Sequence, residues 1–209
     1  MYGSKASPRS DERKQLYVPR EAFQKESMKI LFISAAAILI ALVSYGCKSP
    51  PKPFNGINGF DKSRYLGKWF EIARFDISFE KDLMNTTADY SVGKNGFLRV
   101  VNKGYNYKKM KWEQAIGKAR FVGSDTVGEL DVSFFGPFYG AYNVIALDKD
   151  YQYALIAGSS TKYMWILSRT KTIPAEVRRE YIQIAKASGF ETDKLIWVKQ
   201  DGSSSTTED

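Results

Sequence analysis

The chain has 209 residues, 14% of them aromatic, with one cysteine, no histidine and a net charge of +8. That length accommodates one ordinary domain plus a targeting segment or tail. Lacking histidine and a second cysteine, it has no Ser-His-Asp triad, no Cys-His pair, no zinc site built from histidines or from four cysteines and no internal disulfide, and nothing in it calls for a cofactor or a metal.

Residues 1–29 form a polar, charged extension without apolar periodicity. Residues 30–46 follow without a single charge, preceded by Lys29 and closed by Ser44-Tyr45-Gly46 just before Cys47. A cationic flank, an apolar stretch short for a span and small residues before a break make a secretory signal. Its end resembles the lipobox of bacterial lipoproteins, with Ser44 where Leu is usual. That resemblance implies that Cys47 is the lipid attachment site, and Lys48 after it points to the outer membrane, with the domain on the periplasmic side. A retained transmembrane anchor and a buried core helix remain alternatives for this segment, and Met28 is a second candidate start. Residues 47–56 read as the lipidated Cys and a Pro-rich tether.

Residues 1–46 carry seven basic and four acidic side chains, and that excess of three leaves +5 on the 163 residues that follow. Lys108, Lys109 and Lys111, set between Tyr107 and Trp112, read as a solvated hairpin tip rather than a grip on single-stranded nucleic acid. A mild attraction to anionic lipid headgroups is also open.

From residue 60 onward, short runs rich in Val, Ile, Phe and Tyr alternate with Gly, Asn, Asp or Ser, which predicts nine strands at 68–75, 86–92, 97–105, 113–122, 128–134, 141–147, 153–157, 163–168 and 195–199. Period-two alternation assigns faces. Lys118 and Arg120 share one face with Ile116 and Val122, opposite Ala115, Gly117, Ala119 and Phe121. Glu129 and Asp131 oppose Leu130, Val132 and Phe134, while Arg99 and Lys103 oppose Leu98, Val100, Asn102 and Gly104. Asn95-Gly96 suits a tight hairpin turn. Successive antiparallel neighbours with one apolar face bury it by closing into a barrel. One helix is predicted, with Pro174 in its first turn, Val177, Tyr181, Ile184 and Ala185 on one side and a stop at Gly189, to lie against the outside of the barrel. The domain is expected over 57–200, with a low-complexity tail over 201–209.

Gly67-Lys68-Trp69, at the start of the first strand, resembles the Gly-x-Trp signature of the lipocalins. Asn143-Val144 leading to Asp148 and Tyr151 resembles their second motif, and Trp165-Ile166-Leu167-Ser168-Arg169 the third, whose Arg packs over the signature Trp at the closed end. The stretch from Phe134 to Gly140 narrows the resemblance to bacterial outer-membrane lipocalins, relatives of apolipoprotein D. It implies an all-β fold: an eight-stranded antiparallel up-and-down barrel with one C-terminal helix packed outside and a short final strand. Gly67, Trp69, Asp148, Tyr151 and Arg169 are then structural residues.

The residues alone leave two interiors open. Ala115, Gly117 and Ala119, with Gly104 and Ala88 beside them, leave volume for a ligand, or Phe121, Tyr90 and Phe134 fill it. The resemblance implies a hollow that takes a fatty acid or lysophospholipid, with Tyr139, Trp165, Ala115, Gly117, Ala119 and Phe121 as ligand-binding residues. It implies storage or transport of lipid for envelope maintenance, no enzymatic activity and no nucleic-acid partner, with monomer and homodimer both open. The alternative is a lipid isomerase or hydrolase working through carboxylates, for which Glu71 and Asp89 are the candidates although they form no recognisable acid/base pair. Glu71 reads more simply as a satisfied polar group near the barrel floor or an outward residue.

Overall fold

The computed structural model describes residues 54–200. The N-terminal extension, the apolar segment, Cys47, the tether as far as residue 53 and the tail from 201 lie outside the described residues. Among the described residues nine strands run in chain order: β1 Gly67–Arg74, β2 Leu83–Val92, β3 Leu98–Asn106, β4 Lys111–Phe121, β5 Glu129–Ser133, β6 Gly140–Leu147, β7 Tyr153–Ala157, β8 Met164–Ser168 and β9 Ile196–Trp197. A four-residue helix α1, Lys62–Tyr65, precedes β1, and α2, Ala175–Ala187, lies between β8 and β9.

Each strand from β2 to β7 pairs antiparallel with the next, and β1 closes the cylinder by pairing with both β8 and β2. This is the closed barrel expected from the alternation, with the eight strands that the resemblance implied. The ninth strand is short and adds to β1 outside the cylinder, through Ala73 with Trp197 and Arg74 with Ile196. Strand direction fixes the two ends. Turns 93–97, 122–128 and 148–152 gather at the end where β1 begins, and loops 75–82, 107–110, 134–139 and 158–163 at the other.

Boundaries differ from expectation where the backbone breaks its own period. The register between β2 and β3 shifts between Met84 and Thr87, and Asn85 there has φ of 53°. That irregularity hides the first three residues of β2 from an alternation pattern. The Asn95-Gly96 turn has φ of 55° and 78° at its two central residues, as a type I′ hairpin requires.

Two apolar clusters result. The inner one packs Trp69, Tyr65, Tyr90, Leu98, Val100, Leu130, Val144, Ile156 and Leu167 inside the barrel. The outer one packs Ile72, Phe75, Leu155, Met164 and Ile166 of the wall against Tyr181 and Ala185 of α2. The Tyr181 hydroxyl donates to the Tyr153 carbonyl at 2.8 Å, which pins the helix to β7. At its end Gly189, φ 86°, lets Phe190 N donate back to the Ala185 carbonyl at 3.1 Å, closing a Schellman motif. Phe54 already belongs to this outer core, stacked on Phe190 at 4.9 Å, three residues before the expected start of the domain. Among the described residues, the two clusters draw on the stretch from Phe54 to Trp197.

Candidate functional site

One end of the barrel is sealed. Trp69 is fully buried and donates its indole N–H to the Tyr65 carbonyl at 2.9 Å. The Arg169 guanidinium lies 3.8 Å from the centre of that indole ring. Its nitrogens donate to the carbonyls of Tyr151, Lys68 and Arg64 at 3.2, 2.9 and 2.8 Å, so one side chain ties the entry helix, β1 and the β6–β7 turn together. Gly67 enters the strand at φ 90°, a backbone that only glycine adopts without strain.

Asp148 holds the β6–β7 turn by accepting from the N–H groups of Asp150, Gln152 and Tyr153 at 3.0, 2.6 and 2.6 Å. The Tyr151 hydroxyl then accepts from Asp61 N at 2.8 Å, and Arg64 stacks on its ring at 4.1 Å. Above this floor lies an aromatic layer. Tyr65 and Tyr142 share a hydroxyl hydrogen bond of 2.6 Å, with Tyr90, Phe60 and Phe121 around them. Burial pushes the hydroxyls of Tyr65, Tyr90 and Tyr142 above their usual range, so all three stay neutral.

Toward the other end the inner face changes character. Ala115, Gly117, Ala119 and Phe121 do share the inner face of β4. Ala119 is fully buried, whereas the other three keep part of their surface accessible. Asn102, Val132 and Trp165, also inward, are likewise only partly covered. The space left by two glycines is not vacant. A Cβ at Gly117 would meet the Phe134 ring and the Ser133 carbonyl at 2.7 Å each, and one at Gly104 would meet Thr86 at 2.8 Å. Neighbouring side chains therefore fill part of what the small residues leave.

Tyr139 is not among the inward residues. Its ring faces Arg120 at 4.3 Å and Lys118 at 5.7 Å, both on the outer face of β4. The reason is parity, since Gly140 pairs with the inward Val132, which turns Tyr139 to the opposite side. Asp89 is also outside, on the face of β2 opposite Ala88 and Tyr90.

The interior also holds a charged cluster that alternation could not reveal. A bulge between Glu71 and Ala73 resets β1, so Glu71 lies opposite Leu167 and Arg74 opposite Trp165, both inward. Glu71, Arg74 and Glu80 are 6%, 3% and 7% exposed. Arg74 lies 3.4 Å from Glu71 Oε1 and 3.5 Å from Glu80 Oε2, and its Nη2 donates to the Glu80 and Leu83 carbonyls at 2.6 and 3.3 Å. The Thr86 hydroxyl donates to Glu71 at 3.2 Å and the Trp165 indole to Glu80 at 3.0 Å. Burial, and for Glu71 the neighbouring carboxylate, push both acids above the ordinary range against the pull of Arg74. Glu71 is therefore an inward, bonded group one inward position above the floor. A separate surface groove of about 490 Å³ lies outside the barrel beside α2, lined by Arg178, Arg179, Lys186, Thr192 and Trp197, and shares no residue with the interior.

A family model for the lipocalin-like domain matches residues 60–200. The chain is 49% identical over 177 residues to outer membrane lipoprotein Blc of Escherichia coli K12, covering 84% of this chain and all of that one. It is 31% identical over 162 residues to mouse apolipoprotein D, covering 74% of this chain and 82% of the other. Among solved structures, insecticyanin from the tobacco hornworm superposes with a TM-score of 0.59 at 21% identity, over 74% of this chain and 87% of that one. With the sealed floor, the three motifs in their structural places and these matches together, the chain belongs to the lipocalin family.

Proposed function

We propose that this lipocalin is a lipid-anchored protein of the outer membrane that holds a fatty acid or lysophospholipid in its barrel, for storage or transport of lipid in envelope maintenance. The observation that carries the reading is the asymmetry of the interior. One end is plugged by Trp69 and an aromatic layer, while inward Ala115, Val132 and Trp165 nearer the other end keep accessible surface. The name outer membrane lipoprotein, shared by relatives at 43% to 50% identity, supports the address and an acylated Cys47.

The proposed lining is Trp165, Ala115, Gly117, Ala119 and Phe121; Tyr139, turned toward Arg120, is left out of it. An acyl chain gains about 0.8 kcal/mol for each methylene withdrawn from water. Ten methylenes give about 8 kcal/mol before ordering costs, which corresponds to micromolar binding if those costs are small. Glu71 and Glu80 are both engaged by Arg74, which supports binding over carboxylate catalysis.

Titrating the protein with a lysophospholipid while following tryptophan emission tests this. A saturable change, reversed by competing fatty acid and abolished in Ala115→Trp, is expected. A linear, unsaturable response in the parent contradicts the reading.

A further inference from the structure

We propose that the rim of the open end is a docking surface for an anionic phospholipid bilayer, so that the barrel mouth faces the membrane. The observation is where the exposed apolar side chains lie. Phe79, Tyr107, Met110, Phe135 and Phe138 all stand on the loops of that end, with Trp112 at the adjoining start of β4, at 42% to 77% exposure. Elsewhere among the described residues only Val92 at the sealed end, Ile116 on the outer wall in mid β4 and Ile196 on β9, the last at 37%, are exposed. Apolar side chains gathered at one pole mark a contact surface, whereas scattered ones need no explanation.

Their setting supports a membrane as the occupant. Phe138 N donates to the Phe135 carbonyl at 3.1 Å, closing a four-residue turn that presents both rings outward. Trp112 packs edge-on against Tyr105 at 5.7 Å with Lys103 over its ring at 5.0 Å, an amphipathic arrangement suited to the headgroup boundary.

Charge completes the match. The same loops and adjoining strand starts carry Lys81, Lys108, Lys109, Lys111 and Lys162 against the accessible acids Asp76, Asp82 and Glu113. Lys108 pairs with Asp82 at 3.1 Å and Lys109 with Glu113 at 2.9 Å, which leaves Lys81, Lys111 and Lys162 against Asp76. Lysines around insertable aromatic tips fit anionic headgroups above an acyl layer. A second copy docked mouth to mouth would oppose these lysines to their own equivalents, so the bilayer is the favoured occupant.

The inference goes beyond ligand binding and is independent of it. Its test uses residues 52–209, which hold every residue of the two apolar clusters named above and omit the uncharged stretch 30–46, and circular dichroism first checks that they fold. Flotation with phosphatidylcholine vesicles containing about one-quarter phosphatidylglycerol should show binding that pure phosphatidylcholine does not match and that salt weakens. Phe135→Ser with Phe138→Ser, and separately Lys81→Glu with Lys162→Glu, should each lower it about tenfold or more. Val92→Ser at the opposite pole should bind like the parent, and circular dichroism checks that every variant is folded. Absence of vesicle binding by the parent, undiminished binding by both rim variants, or a dimer that the Phe pair abolishes without any vesicle binding would each overturn the proposal. Because lysophospholipid titration in free solution does not need the rim, its outcome in these variants separates a failed docking surface from a failed ligand site.

Discussion

At the scale of single residues, the floor of the barrel is over-determined and the charged cluster above it is finely balanced. Trp69→Ala removes a fully buried ring, the cation–π contact to Arg169 and the hydrogen bond to Tyr65. Thermal or denaturant unfolding should register a loss of about 3–5 kcal/mol, as large buried truncations do. Glu71 gives a different signature. Its folded-state affinity for a proton is raised above the ordinary value of 4.5, first by burial and then by Glu80. A raised acid favours the native state below the unfolded value, and that advantage is lost as pH climbs through the folded value. Glu71→Gln cannot ionise, so its stability relative to the parent should improve as pH rises above 4.5, and unfolding curves across that range would show it. A constant difference between the two proteins would mean that Glu71 titrates alike in both states.

The motif residues were legible because each carries a local physical demand: a glycine at positive φ, a plug, an Arg reaching three carbonyls, an Asp feeding a turn. Arg74 and Glu80 were not. By strict alternation Arg74 shares the face of Phe70 and points out; the bulge after Glu71 reverses it, and a bulge leaves no mark in hydrophobic period. The turn of Tyr139 toward Arg120 was hidden for the related reason that loop residues carry no parity until the register of the next strand is known.

At the scale of elements, sequence and structure agree closely because strands, turns and the helix each declare themselves locally. The β2–β3 hairpin shows this in a testable form. Gly96 has φ 78° and nothing within 4 Å of where a Cβ would stand, so the cost of Gly96→Ala is conformational alone. About 1–2 kcal/mol is expected from a left-handed backbone forced on an L side chain. A melting experiment without a loss would mean that the turn relaxes to another type. What the elements did not disclose is β2 before residue 86, where Asn85 sits in a register shift, and the short helix α1, whose Asp61 cap accepts from Ser63 N at 2.8 Å over a segment too brief for periodicity.

At the scale of the whole molecule, the barrel is polarised. One end is closed by aromatic packing and a multiply bonded Arg169, and the other combines inward residues that stay accessible with outward tips that are apolar and basic. The barrel and its motifs were readable from composition and order; the degree to which Phe134 and Thr86 occupy the volume beside Gly117 and Gly104 was not, since it depends on rotamers across the barrel. That volume decides function, because an acyl chain needs room along the inner wall past Ala115 and Trp165. The most direct measurement is quenching of tryptophan emission by a fatty acid brominated in mid-chain. Saturation at one ligand per barrel, with the quenched fraction removed by Trp165→Phe, is the predicted result. Quenching that never saturates, or that survives Trp165→Phe undiminished, would contradict an acyl chain lodged inside.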